Sequence, residues 1–193
     1  MQDLGFYFDL GWKHIIAWDA LDHTLFILAL SAIYLAGNWK QVLILITAFT
    51  IGHSATLVLS VYDVIRVNTR LVEFLIPCTI MATALFNFFQ KDFKPGSLRL
   101  NYFFAVFFGF IHGLGFANAI RDLMVNNESL GWSLFGFNVG LEAGQIVVVA
   151  GILLISFLLV NKAGLNRKWW VWTLSIVAFC LAAKMVWERL PGS

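Results

Sequence analysis

Apolar residues run along this sequence in long blocks, each interrupted by only a few polar or charged positions. Blocks of this kind approach the roughly 20 residues an α-helix needs to cross a bilayer. They predict six spanning helices over about 21–36 (with a start as early as residue 14), 41–62, 71–90, 100–121, 130–160 and 169–189. Residues 1–13 place Phe6, Tyr7, Phe8, Leu10 and Trp12 among polar neighbours, which predicts an amphipathic segment lying in the membrane interface. The connections are short: a turn at Gly37-Asn38-Trp39-Lys40, residues 91–97 with Pro95-Gly96, and Asn161 to Lys168. None is large enough for a further unit, so residues 1–193 read as a single all-α polytopic membrane domain.

Composition agrees. The chain is 60% apolar and only 12% charged, about half the ~25% charge of a soluble domain, with a mean hydropathy of +0.81. A net charge of +2 without any basic cluster excludes a nucleic-acid partner. The opening MQDLGFYFDL carries acids where a signal peptide needs a basic region, so no cleaved leader is expected. Lys and Arg divide almost evenly between alternate loops, which gives only a slight preference for an amino terminus on the outside. Cys78 and Cys180 lie in apolar blocks and read as small buried hydrophobes. Most tryptophans, such as Trp12, Trp39, Trp132 and Trp169, fall near helix ends, as interfacial anchors do.

The chemistry is concentrated where polar groups enter apolar blocks. GWKHIIAWDALDHTLFILAL, from Gly11 to Leu30, brings His14, Asp19, Asp22 and His23 to the head of the first span. Ionisable groups in such a place are costly and therefore functional by default. At about 100° per residue, Asp19, Asp22 and His23 share one turn and one face. His14 lies eight residues before Asp22, about 12 Å along an unbroken helix, and can join them only if the chain bends around Ala17 to Ala20. The remaining histidines, His53 and His112, sit in the middle of the second and fourth spans. A lone intramembrane histidine is commonly a hydrogen-bonded packing residue. Four histidines accompanied by acids point to a metal or proton site.

Two further helix faces are polar. Thr50, His53, Ser54 and Ser60 fall within an arc of about 120° on the second span, a stripe fit for a pore lining or for interhelical hydrogen bonds. In the fifth span Asn138, Glu142 and Gln145 share one face, while Gly136, Gly140 and Gly144 repeat on the opposite one. Glycines at that spacing admit a neighbouring helix closely. Glu142 then needs a cation, a histidine or a proton for company.

Four stretches together resemble the HupE/UreJ family of bacterial membrane proteins, and its shorter branch in particular. They are His14-Ile15 followed by Asp22-His23-Thr24-Leu25-Phe26, Thr47 to Ser54 (TAFTIGHS), Phe108 to Ala117 (FGFIHGLGFA), and Gly136 to Gln145 (GFNVGLEAGQ). The resemblance implies an inner-membrane protein associated with nickel enzymes and a permease for nickel or a related divalent ion. Its carry-over onto this chain is His14, Asp22, His23, His53, His112 and Glu142. The His-to-Asp-His order is also similar to that of nickel/cobalt transporters, although here seven residues rather than four separate His14 from Asp22.

The expected activity is secondary transport of a divalent transition-metal ion, because imidazole and carboxylate suit nickel, cobalt, zinc or iron(II) and no nucleotide motif is present. Asp22 and His23 are the expected first ligands, completed by His53, His112 and Glu142, with His14 and Asp19 collecting the ion at the entrance. Asn138, Gln145, Thr50 and Ser54 are expected to orient those ligands. The rival is a membrane-embedded metallohydrolase using zinc or a dinuclear site, with Glu142 as general base. Bis-histidine haem is a weaker rival, since carboxylates suit haem ligands poorly. The expected partners are the lipid bilayer and the metal ion, and a homo-oligomer is left open.

Overall fold

The computed structural model describes residues 2–17, 21–90, 98–124 and 130–190. All regular structure among them is helical: α1 (Gln2–Ile16), α2 (Leu21–Ser31), α3 (Trp39–Val61), α4 (Thr69–Phe89), α5 (Leu98–Met124), α6 (Leu130–Ser156) and α7 (Arg167–Glu188). A short 3₁₀ turn, Ala36–Asn38, leads into α3, and a π-helical turn, Phe157–Lys162, extends α6. Among the described residues, four stretches are long and apolar enough to cross a membrane: Ala36–Val61, Thr69–Phe89, Leu130–Lys162 and Arg167–Glu188. Their ends follow local chemistry. Asn68 and Asn166 cap α4 and α7 by accepting from the backbone N–H of Arg70 and Lys168, each at 2.9 Å. Gly164, with φ +74, makes the left-handed turn before α7.

The beginning of the chain differs from the sequence expectation in two respects. First, residues 2–16 do not form a segment lying apart at the interface. They are a helix packed lengthwise along α6, with Tyr7, Gly11 and Ile15 buried at four-residue spacing. Second, the first predicted span is interrupted. α1 ends at Ile16 and α2 starts at Leu21, so the bend required to bring His14 toward His23 is present. At ~1.5 Å per residue α2 is only about 16 Å long, half the ~30 Å of a bilayer core.

The reason for both is the glycine face of α6. Leu4 lies against Gly136, Phe8 against Gly140 and Ile15 against Gly144, so α1 runs parallel to α6 with the backbones in contact. A Cβ on Gly140 would fall on the Phe8 carbonyl, and one on Gly11 would fall on the Phe137 carbonyl. The second seam is built the same way. Gly52 of α3 meets the Val106 carbonyl of α5, while Gly109 and Gly113 of α5 meet the Phe49 and His53 carbonyls. Between helices in lipid there is little hydrophobic drive, and close packing at small residues supplies much of the association.

Substituting Gly140→Val should therefore separate α1 from α6 and cost about 1–3 kcal/mol, as overpacking does. Thermal unfolding in detergent should show a clear fall in Tm, whereas Gly5→Ala, with nothing within 4 Å of the added Cβ, should leave it unchanged.

Candidate metal centre

Both seams end at histidines. His14 lies one turn beyond Gly11 on α1, His53 follows Gly52 on α3, and His112 precedes Gly113 on α5. α1 ends at Ile16 and the start of α2 lies beside that end, where Thr24 Oγ1 donates to the Ile15 carbonyl at 3.3 Å and His23 stands next to His14. The ring centroids lie 4.6 Å apart for His14–His23, 5.2 Å for His23–His112, 5.7 Å for His23–His53 and 6.0 Å for His14–His53. His14, His23 and His53 can each present one ring nitrogen such that all three lie within 4.8 Å of one another. Tetrahedral coordination with bonds of ~2.05 Å sets such nitrogens about 3.3 Å apart, so a small inward rotation of the rings would complete it.

The surroundings fit a cation bound by neutral imidazoles. His53 and His112 are fully buried and His23 nearly so. Among the described residues, His23 Nε2, both nitrogens of His53 and His112 Nδ1 have no hydrogen-bond partner. Each such buried atom costs about 1–3 kcal/mol, a cost that a ligated ion would offset. Phe116 faces His14 at 4.0 Å, Phe137 lies 6.3 Å from His53, and Phe26 and Phe49 each approach His112 to 5.1 Å. These rings pack against the cluster.

The tautomer of His112 follows from its neighbour. Thr79 Oγ1 donates its one proton to the Ile76 carbonyl at 2.6 Å, so it accepts from His112 Nε2–H at 3.0 Å. The buried Nδ1 is then left with its lone pair and no hydrogen-bond partner, while the outer hydrogen bond fixes the ring as it does in metal-binding histidines, although His112 stands outside the group of three whose nitrogens lie within 4.8 Å.

A cavity of about 490 Å³ leads to this cluster. His14, His23 and His112 line it together with Lys13, Asp22, Glu73 and Arg189. Asp22 does not point to the histidine group as a free carboxylate. Its Oδ2 and Oδ1 accept from Arg189 Nη1 at 3.2 and 3.4 Å. The same nitrogen donates to the Glu73 carbonyl at 3.2 Å. That carbonyl is free because Pro77, four residues on, has no N–H to give it.

Glu142 also has a different partner from the one expected. Thr47 Oγ1 donates to its Oε1 at 2.7 Å, Thr50 Oγ1 to Gln145 Oε1 at 2.9 Å, and Ser54 Oγ to Asn138 Oδ1 at 2.5 Å. The polar faces of α3 and α6 are thus joined to each other in a ladder. Thr50, Ser54, Asn138 and Gln145 serve that ladder, and these bonds reach no histidine nitrogen. Asp19 lies outside the described residues.

Sequence reasoning overlooked Thr79, Arg189 and the aromatic wall of Phe116 and Phe137. Arg189 carried a weak signal, a cation just past the end of the last apolar helix, near which Lys184 and Glu188 also lie. Thr79 carried none, since a threonine two residues past a proline is unremarkable without His112 opposite it.

Replacing Thr79 by Val should keep the shape and release the His112 ring, weakening Ni²⁺ or Co²⁺ binding about tenfold. Titration of detergent-solubilised protein followed by d–d absorption of Co²⁺ would measure it.

No curated protein and no solved structure matches the chain. A family model described as HupE / UreJ protein does match, over residues 1–189, which include every helix and all four histidines. By that match, and by its apolar helices, this multi-pass membrane protein belongs to the HupE/UreJ family.

Proposed function

We propose that the protein is a secondary permease for a divalent first-row ion, nickel or a close relative, in the bacterial inner membrane. The observation that carries this reading is the meeting of His14, His23 and His53, with nitrogens within 4.8 Å, in a membrane interior reached by one cavity. Imidazole nitrogens favour nickel, cobalt, copper and zinc over magnesium or calcium. With the three rings neutral, the ion's charge would be poorly compensated in a medium of low dielectric. Such binding is tight enough to select and weak enough to release, which transport requires.

We read α1 and α2 together as one traverse, a discontinuous helix, and α3 to α7 as five more, of which α3, α4, α6 and α7 are long and apolar enough to cross alone. Discontinuous helices at the substrate site are the usual way in which transporters expose polar groups at the midplane. His112, whose ring is 5.2 Å from His23, supplies a fourth nitrogen. Asp22 acts at the mouth: an arriving cation competes with Arg189 for its carboxylate and is then handed inward. Asp19 belongs to the same entrance. Glu142 contributes negative charge from the α3–α6 ladder, where Thr47 holds it. If the amino terminus faces outward, the cavity faces outward and transport is import.

Support for the permease over a metallohydrolase comes from the carboxylates. Asp22 is held by Arg189 and Glu142, the expected general base, by Thr47, while Glu73 is the other acid that lines the cavity.

His23→Ala and His53→Ala should each abolish Ni²⁺ binding by equilibrium dialysis and Ni²⁺ uptake into proteoliposomes. Glu142→Gln should leave binding within a few-fold of the parent. Stoichiometric metal that survives chelation, together with no uptake, would sink the permease reading.

A further inference from the structure

Among the described residues, four charged side chains border the cavity that reaches His23 and His112: Lys13, Asp22, Glu73 and Arg189. Lys13 is engaged elsewhere. Its Nζ lies 2.6 Å from Asp9 Oδ2, and both of those side chains are more than half exposed. The other three converge. Arg189 Nη1 stands 3.2 and 3.4 Å from the two carboxylate oxygens of Asp22 and 3.2 Å from the Glu73 carbonyl oxygen. The Glu73 carboxylate is near enough to repel that of Asp22.

A cationic nitrogen thus sits among three oxygens from two residues, with a second carboxylate beside them. Both oxygens of one carboxylate, a backbone carbonyl and a further carboxylate are also a donor set that a hard divalent cation takes. The carbonyl is available because Pro77 leaves it without a helical partner.

The clasp itself is loosely made. Charge-assisted bonds of this type run about 2.7–2.9 Å, and a guanidinium grips a carboxylate best with two nitrogens. Arg189 spreads a single nitrogen over three acceptors, each at 3.2 Å or more. An arriving divalent ion therefore meets a weak competitor.

The inner side of the same cavity also points to a ligand. His23, the residue after Asp22, is only 5% exposed, and its Nε2 has no hydrogen-bond partner among the described residues. His112 Nδ1 is in the same state, and both rings border the cavity. Oxygens gathered around a tethered cation at one side are followed by unpartnered nitrogens at the other.

We infer that the Asp22 carboxylate, the Glu73 carbonyl and the Glu73 carboxylate form an outer site for a hydrated divalent cation, and that Arg189 is the tethered cation that competes for it. The inference deepens the permease reading by giving the ion a first stop, and the binding it names is measured without transport. Two carboxylates offset the two charges of the ion, which the neutral imidazoles inside do not. When the ion moves on to His23, the guanidinium closes again on Asp22, so the carboxylate is never left buried and unpaired. Oxygen donors accept manganese, magnesium and calcium as well, so selection among ions falls to the imidazoles.

Mn²⁺ is the probe, because oxygen suits it better than imidazole does. Its free ion is counted by electron paramagnetic resonance in detergent solution. The parent chain should bind Mn²⁺ with a Kd on the order of 10⁻³ M. Glu73→Gln keeps the carbonyl and removes the charge, and should weaken this binding about tenfold. Arg189→Gln removes the competitor and should tighten it about tenfold, since a larger fraction of the sites stands open. His53→Ala strips an imidazole from the inner centre and should leave Mn²⁺ binding within about twofold. Opposite shifts in the two mouth variants are the signature, because loss of a merely structural clasp would weaken binding in both. If Arg189→Gln does not fold, Glu73→Gln decides, its residue being exposed. A parent chain that binds no Mn²⁺, unchanged binding in Glu73→Gln, weaker binding in folded Arg189→Gln, or loss of Mn²⁺ in His53→Ala would each overturn the inference. The permease reading would survive any of these if the parent still carries Ni²⁺ into liposomes. A parent that binds Mn²⁺ in the expected pattern but carries no Ni²⁺ would keep the outer site and overturn the permease reading.

Discussion

Backbone-to-backbone contact at glycines is the constraint on which the rest of this structure depends. A histidine side chain reaches only a few ångströms from its helix axis, so four rings can meet only if their helices come unusually close. The α1–α6 seam at Gly11, Gly136 and Gly140 sets the depth of His14. The α3–α5 seam at Gly52, Gly109 and Gly113 sets His53 and His112 side by side. A methyl group at any of these positions would meet a backbone carbonyl of the facing helix and push the two helices apart.

The second organising fact is that the polar groups of the interior fall into two separate systems. One is the histidine cluster, in which nitrogens are left with lone pairs and few partners. The other is the α3–α6 ladder of Thr47–Glu142, Thr50–Gln145 and Ser54–Asn138, in which hydroxyls and carbonyl or carboxylate oxygens satisfy one another. Where water is absent, a saturated set of hydrogen bonds fixes two helices together, and an unsaturated set is open to a ligand. His53 and Ser54, adjacent in sequence, belong to different systems because successive helical residues point about 100° apart.

That division explains what could be read from the sequence. The helical, membrane-embedded character was legible, because it depends on hydropathy summed over whole segments. So was the need for a bend between His14 and Asp22, because it follows from axial rise alone. The glycine face of α6 was recognisable, but its partner was not: α1 is short, carries Asp3, Asp9 and Lys13, and looks interfacial until the groove that receives it is seen. Pairings across long sequence separations were beyond reach for the same reason. Glu142 could have met a histidine, a cation or a hydroxyl, and only the register between α3 and α6 selects Thr47. Asp22 likewise gave no hint of Arg189.

The clasp of Arg189 on Asp22 and on the Glu73 carbonyl has a bearing on how the protein is assembled. Asp22 opens a helix of only 11 residues, too short and too acidic at its head to be at ease in lipid alone. Its partner is separated from it by 167 positions and follows the last helix. During synthesis α2 therefore emerges long before the guanidinium that neutralises it, and the Glu73 carbonyl bared by Pro77 waits for the same group over a shorter stretch of 116 positions. The head of α2, near the start of the chain, would then be the last part of the interior to close, once α7 and Arg189 are in place.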